Sequence, residues 1–322
     1  MKCINKIIPV LFVLILLTGC KGKKIDIPYD IDTTTSAYSF DTSNVSITAD
    51  SFASSLCVVS SDITDGTEVD MSQATAAGLF DVSRCNTIYA KNVHKQMYPA
   101  SLTKVMTALL ALKYGKLDDI LTASDQVLIT ESGAQLVGFK PGDTMTLEQA
   151  LHGLLMYSGN DAGVVIAEHI SGSVEAFADL MNQEALKIGA TNTSFRNPHG
   201  LTDDKHYTTA YDLYLIFNEA MKYEKFKEII HMQSYTSVYH DSEGNEKELD
   251  FSSTNQYLTG TVDTPENMTV IGGKTGTTNA AGACLILLSK DTAGEPFISV
   301  VLQADDRDIL YVEMSELLQE IK

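Results

Sequence analysis

The chain has 322 residues, enough for one large domain or two ordinary ones, and 44% of them are hydrophobic, which supports a sizeable core. Its formal net charge is −19. An acidic excess of this size argues against nucleic acid as a partner, because phosphate binding needs clustered lysine and arginine.

The first twenty residues, "MKCINKIIPVLFVLILLTGC", carry Lys2 and Lys6, then an apolar run from Ile7 to Leu17. The run is short for a bilayer span and reads as a secretory signal peptide over residues 1–19. Thr18-Gly19 directly before Cys20 resembles the lipobox of bacterial lipoproteins, which implies cleavage after Gly19 and lipidation of Cys20. An ordinary signal peptide followed by a chance cysteine, or an uncleaved anchor, fits the same residues. Cleavage would leave 42 acidic against 21 basic residues. Residues 20–50 are rich in Thr, Ser and Asp without periodicity and read as a tether.

From residue 51 the pattern is that of a folded domain reaching residue 322. "SLCVVS", "ATAAGLFDVS" and "NTIYAKN" read as strands, the last two joined by a turn at Ser83. A helix is expected over 100–114, where Leu102, Val105, Met106, Leu109 and Leu112 recur at spacings of three and four. Thr146 opens a second helix, with Gln149 placed for a capping box. Further helices are expected over 161–170, 174–187, 210–223 and 225–232. Strands return in "MTVIGGKTG", "GACLILLSKD" and "PFISVVLQA", and "DILYVEMSELLQEIK" closes the chain with helical spacing. Strands at both ends around a helical middle predict an α+β fold: an antiparallel sheet built from both chain ends, flanking helices, and a central helical subdomain over about 100–235. Cys57, Cys85 and Cys284 show no metal-ligand spacing. They read as buried small hydrophobes, with one Cys57–Cys85 bridge left open.

Three stretches carry chemistry. In "YPASLTKVMTALLALKYG", Ser101 and Lys104 share one face at the start of an apolar helix. A lysine held among apolar groups loses its proton more easily and can serve as a base for a neighbouring hydroxyl. By itself the pair also fits a helix-start serine and a snorkelling lysine. In "LLMYSGNDAGVV", Ser158 and Asn160 lie between two apolar helices, with Asn160 suited to cap the second. In "VIGGKTGTTNAAG", glycines inside a strand mark close backbone approach, and Lys274 and Thr275 suggest an anion site beside an edge that takes an extended peptide.

S-x-x-K, S-x-N and K-T-G, in this order and context, form the motif set of penicillin-binding proteins and serine β-lactamases. With "GFKPGDTMTLEQALHGLLMYSGNDA", "NPHGLTDDKHYTTAYDL" and "GGKTGTTNAAG", residues 75–305 resemble the low-molecular-mass D-alanyl-D-alanine carboxypeptidases. The resemblance implies that Ser101 attacks the D-Ala-D-Ala carbonyl of peptidoglycan stem peptides, with Lys104 as base and Ser158 as proton shuttle. Asn160 would hold Lys104 and the substrate, and Lys274 and Thr275 would bind the terminal carboxylate. The backbone N–H groups of Ser101 and Thr277 would form the oxyanion hole. It implies no metal and no organic cofactor, covalent inhibition by β-lactams, and a lipid-anchored place outside the cytoplasm on the bacterial membrane. Some family members carry an arginine where this chain has Tyr211. His199 and His206 read as structural turn residues. The competing readings are a DD-endopeptidase, which shares every residue named, then a β-lactamase, for which no deacylating glutamate segment is evident, or a non-catalytic β-lactam or muropeptide sensor.

Overall fold

The computed structural model describes residues 53–66 and 69–321. The expected leader, Cys20 and the tether lie outside them. Elements follow in chain order: β1 (Ala74–Asp81), β2 (Asn86–Lys91), a 3₁₀ turn (Ala100–Thr103), α1 (Lys104–Tyr114), β3 (Ile120–Thr122), β4 (Thr144–Thr146), α2 (Leu147–Leu155), α3 (Asn160–Ser171), α4 (Val174–Lys187), α5 (Ala210–Ala220), α6 (Glu224–His231), β5 (Ser234–His240), β6 (Glu246–Ser252), α7 (Gln256–Thr259), β7 (Met268–Thr278), β8 (Gly282–Asp291), β9 (Pro296–Ala304) and α8 (Arg307–Gln319).

The main sheet has the order β2-β1-β9-β8-β7, and every pairing in it is antiparallel. It is assembled from both ends of the folded part, as the strand pattern predicts. Its central strands are buried on both faces, so their side chains alternate between two apolar layers rather than between core and water. Phe80, Ile286 and Val300 face the helical layer, while Leu79, Leu287 and Val301 face α8. Helix α8 starts at Asp306, whose side chain accepts from the Ile309 N–H at 2.9 Å, and it lays Leu310, Met314, Leu317 and Leu318 on the sheet.

Helix α1 runs through the middle of the other layer. Every residue from Lys104 to Ala111 is buried, so this helix has no solvent face over its first two turns. The capping box at α2 forms as expected: Thr146 Oγ1 accepts from Gln149 N, and Gln149 Oε1 accepts from Thr146 N.

Two expectations need correction. "SLCVVS" forms no strand: Cys57 and Val59 are buried, but the Cys57 N–H donates to the Tyr214 hydroxyl at 2.9 Å rather than to a neighbouring strand. A second four-stranded sheet, β3-β4-β5-β6, stands beside the helices where no strands were expected. Cys57, Cys85 and Cys284 are free thiols, so no Cys57–Cys85 bridge forms, and Cys85 is only half-buried, unlike the other two; Cys57 Sγ donates to Asp81 O and Cys85 Sγ to Val82 O. Among the described residues no helix is long and apolar enough to cross a membrane.

Strand β7 is an edge strand of the main sheet and is pressed between backbones. A Cβ on Gly272 would lie 2.1 Å from Ile230 O on α6. Gly133, in contrast, has open space around it. Gly272→Ala should therefore cost about 2–3 kcal/mol, and Gly133→Ala about 1 kcal/mol from its positive φ alone. Urea midpoints at unchanged m-value read both; equal losses would contradict the contact argument.

Candidate active site

Ser101 lies in the 3₁₀ turn that precedes α1. The turn is held open by an alanine in an uncommon conformation: Ala100 has φ 47°. The Ala100 carbonyl oxygen sits 1.8 Å from where a Gly200 Cβ would be, and Gly200 itself has φ 89°. On the other side, a Cβ on Gly276 of β7 would come within 2.9 Å of Ser101 N. Glycine at both positions lets two backbones reach the serine. His206 supports the same turn. Its Nε2 bonds Thr103 Oγ1 at 2.9 Å while its Nδ1 accepts from Arg196 N at 3.2 Å, which assigns the ring proton to Nε2.

Lys104 is fully buried and has three hydrogen-bond partners: Ser101 Oγ at 2.8 Å, Asn160 Oδ1 at 2.6 Å and the His199 carbonyl oxygen at 2.8 Å. Burial drives its ammonium well below the ordinary lysine value. The nearby Lys274 charge pushes it further down, and the Asp161 carboxylate opposes both. Asn160 does not cap α3 as the sequence suggests. Gly159 is the N-cap, and the Asn160 side chain is committed to Lys104 instead.

Ser158, like Ala100, is a non-glycine residue in the left-handed region, with φ 69°. Its Oγ accepts from Lys274 Nζ at 2.9 Å, and Lys274 also donates to the Thr275 carbonyl oxygen at 2.8 Å. Ser101, Lys104 and Asn160 thus form one hydrogen-bonded group and Ser158 and Lys274 a second, drawn from the 3₁₀ turn, α1, α3, the α2–α3 turn and β7, and the Lys274 charge acts on Lys104 across the two. Thr275 Oγ1 lies 2.6 Å from Thr254 Oγ1, and Thr275 and Thr277 line the same cleft as Ser101.

That cleft has a volume of about 810 Å³. Its walls include Glu131 and Gln135 on one side, Asp250 and Thr254 on another, and Arg307 from the start of α8. Arg307, Thr254 and the His199 carbonyl are contributions that the sequence reading missed. They come from loops and element ends with no periodic signal. Tyr211 stands elsewhere: its ring packs on Phe80 and edge-on to His94 at 5.2 Å, and it is not part of the cleft wall. His199 lines the cleft, but burial pushes its imidazole down to about 3, and that of His206 to about 4, so neither is set up as a base near neutrality.

The profile of the D-alanyl-D-alanine carboxypeptidase family matches residues 64–306. The chain belongs to this family. The chain is 37% identical over 227 residues to D-alanyl-D-alanine carboxypeptidase DacF of Bacillus subtilis, covering 68% of this chain and 54% of that relative. It is 34% identical over 250 residues to DacC of Escherichia coli, covering 74% and 59%. It therefore spans a little over half the length of these relatives. The Streptomyces K15 DD-transpeptidase superposes with a TM-score of 0.72 at 24% identity over 78% of this chain and 98% of that one, which shows the shared fold. A penicillin-binding protein homologue from Mycobacterium tuberculosis gives 0.70 at 26% identity over 80% and 94%.

In this family member the second buried lysine makes a stability prediction. Burial pushes the Lys274 ammonium from its ordinary 10.5 down to about 7. Between these two values the unfolded chain holds more protons than the folded one, so stability rises with pH across that window and is lowest below it. Lys274→Met removes the buried amine. Its melting temperature should exceed the wild type's by a few degrees at pH 7, and the advantage should fade toward pH 10.5. Scanning calorimetry across the window checks this; a pH-independent difference would contradict it.

Proposed function

We propose that this chain is a serine D-alanyl-D-alanine carboxypeptidase that removes the terminal D-alanine from peptidoglycan stem peptides through an acyl-enzyme on Ser101. The observation that carries the reading is the set of partners around Lys104. A neutral amine has two N–H donors and one lone pair. The Asn160 and His199 oxygens can only accept, so they take both donors. The Ser101 hydroxyl can donate, and in the neutral state it is left facing the lone pair at 2.8 Å. That is the arrangement a base-activated nucleophile requires.

The steps follow. The Ser101 proton passes to Lys104 Nζ while Oγ bonds to the substrate carbonyl carbon. The developing oxyanion is taken by the backbone N–H groups of Ser101 and Thr277. Ser158, held by Lys274, relays a proton to the departing amine as the C–N bond breaks, and D-alanine leaves. Water then attacks the ester by the reverse relay. Thr275 and the Lys274 charge receive the terminal carboxylate, and Arg307 supplies a further cation at the wall of the cleft. Asn160 fixes Lys104 and binds the substrate amide. β-Lactams would enter the same step and remain as esters on Ser101, because no segment after Ser158 resembles the glutamate loop that a β-lactamase uses for their release.

The same reading extends to domains and location. Residues 1–19 act as a lipoprotein signal peptide, residue 20 carries the lipid, 20–50 is the tether, and 51–322 is the catalytic domain with its helical part over about 100–235. What supports this is the "LTGC" pattern behind a short apolar run; more than one acyl chain gives a stable anchor. The enzyme would then work outside the cytoplasm at the membrane.

Ser101→Ala should abolish both D-alanine release and penicillin labelling while leaving the fold intact. Lys104→Arg keeps a cation but cannot offer a lone pair, so acylation should fall by about 10²–10⁴-fold. Release of D-alanine from a pentapeptide ending in D-Ala-D-Ala reads the first effect, and intact-mass kinetics with benzylpenicillin the second. Labelling that persists without Ser101 overturns the reading. Recovery of unmodified mass within seconds, with the drug consumed, would favour a β-lactamase.

A further inference from the structure

Asp161, directly after Asn160, is a buried carboxylate whose partners are all backbone N–H groups. Oδ1 accepts from Val137 N at 2.8 Å and Ala162 N at 3.0 Å, and Oδ2 accepts from Gly138 N at 2.7 Å and Phe139 N at 3.1 Å. Three of these four donors belong to one segment, residues 137–139. The contact is reinforced on either side: Asn160 N donates to Gln135 O at 2.8 Å. Val137 Cγ2 also lies 2.4 Å from where a Gly159 Cβ would be. Just upstream, residues 131–135 form one wall of the cleft.

We propose that Asp161 is a positioning residue of the catalytic cleft, whose carboxylate fastens the 135–139 segment to the turn carrying Ser158 and Asn160 so that cleft wall and acid–base groups hold one geometry. Segment 137–139 is not in a strand, so its N–H groups have no ladder to join, and a buried donor left without a partner is costly. A single carboxylate offers enough lone pairs to gather three successive amides. Amide, hydroxyl or alkyl side chains at this position cannot. The same charge sits behind Lys104. The titratable groups facing Lys104 are Lys274 from β7, Asp161 from α3 and the neutral His199 from the loop before α5. Of these, Asp161 alone favours the protonated amine.

The kinetic arm of the test rests on the carboxypeptidase reading, and a second arm does not. In the wild-type protein, hydrogen exchange should show Val137, Gly138 and Phe139 amides protected at least about 100-fold beyond the open tip at Ser132 and Gly133. Equal exchange overturns the proposal whatever the enzyme's activity. Asp161→Asn is near-isosteric but turns an NH₂ group toward two of the four donors. It should lose protection at 137–139, raise KM for the D-Ala-D-Ala peptide about tenfold, and move the acid limb of benzylpenicillin acylation to lower pH, because Lys274 then acts on Lys104 unopposed. A folded variant with wild-type KM and an unmoved acid limb overturns it, as does a slower variant with unchanged exchange and an unmoved limb. If the wild type neither releases D-alanine nor takes up penicillin, the functional reading fails while the exchange arm still judges the fastening.

Discussion

The site depends on a lysine placed where a lysine is costly. Helix α1 has no solvent side in its first two turns, and Lys104 lies within them. Water cannot reach its amine, so the protein must supply every partner, and it supplies three oxygens of different kinds. Desolvation weakens the proton's hold, and on the proposed function that is what would let the amine serve the serine one helical turn away. The rest of the architecture follows from this burial. Helix α5, which itself lies on the sheet, packs against α1, as do α2 and α3, and the loop before α5 delivers the His199 carbonyl. A lysine that reached solvent would keep its proton and give the serine nothing.

A second buried lysine sharpens the constraint. The Lys274 charge lowers Lys104's hold on its proton in a region that neither lysine can leave, and Asp161 is the nearby opposing charge. A charge removed from water is tolerated only when it is well paired. Asp161 is held by four N–H groups, Lys274 by a hydroxyl and a carbonyl, and Lys104 by three oxygens. Lys104 answers to both of the others: changing Lys274 or Asp161 moves its hold on the proton.

Much of this was legible in the sequence, because the chemistry is carried by residues at short fixed spacings. Ser101 and Lys104 are one turn apart, and Lys274 and Thr275 sit among strand glycines whose crowding the backbone bears out. The apolar strand runs of β1, β8 and β9 at the two ends of the folded part, with the helical spacing of α1 and α8, pointed to the sheet and its layers. What escaped were long-range partners. Asn160 has the side chain of a cap, and nothing local says that a lysine 56 residues earlier competes for it. "SLCVVS" has strand composition, yet its amide finds a tyrosine hydroxyl 157 residues away. The β5–β6 hairpin went unread because β6 is mostly exposed and charged at four of its seven residues, so its pairing with β5 leaves only the short apolar signal of Leu249 and Phe251. Arg307 joins the cleft only because the sheet brings the start of α8 there.

The order of strands in the main sheet has a consequence for how the molecule is made. Among the described strands β1 leaves the ribosome first and β9 last, yet they are neighbours, with Ala77 opposite Val301. Until β9 emerges, β1 has only β2 beside it, and its other edge is an open row of unpaired amides and carbonyls. Contacts of such sequence separation form slowly, because the intervening chain must be closed before they contribute. The helical middle can condense early around α1, but the nucleophile then lacks its strand. On the proposed function, the serine would gain its strand only once β7 has docked against Ser101, so a chain interrupted before β7 would carry an inert serine.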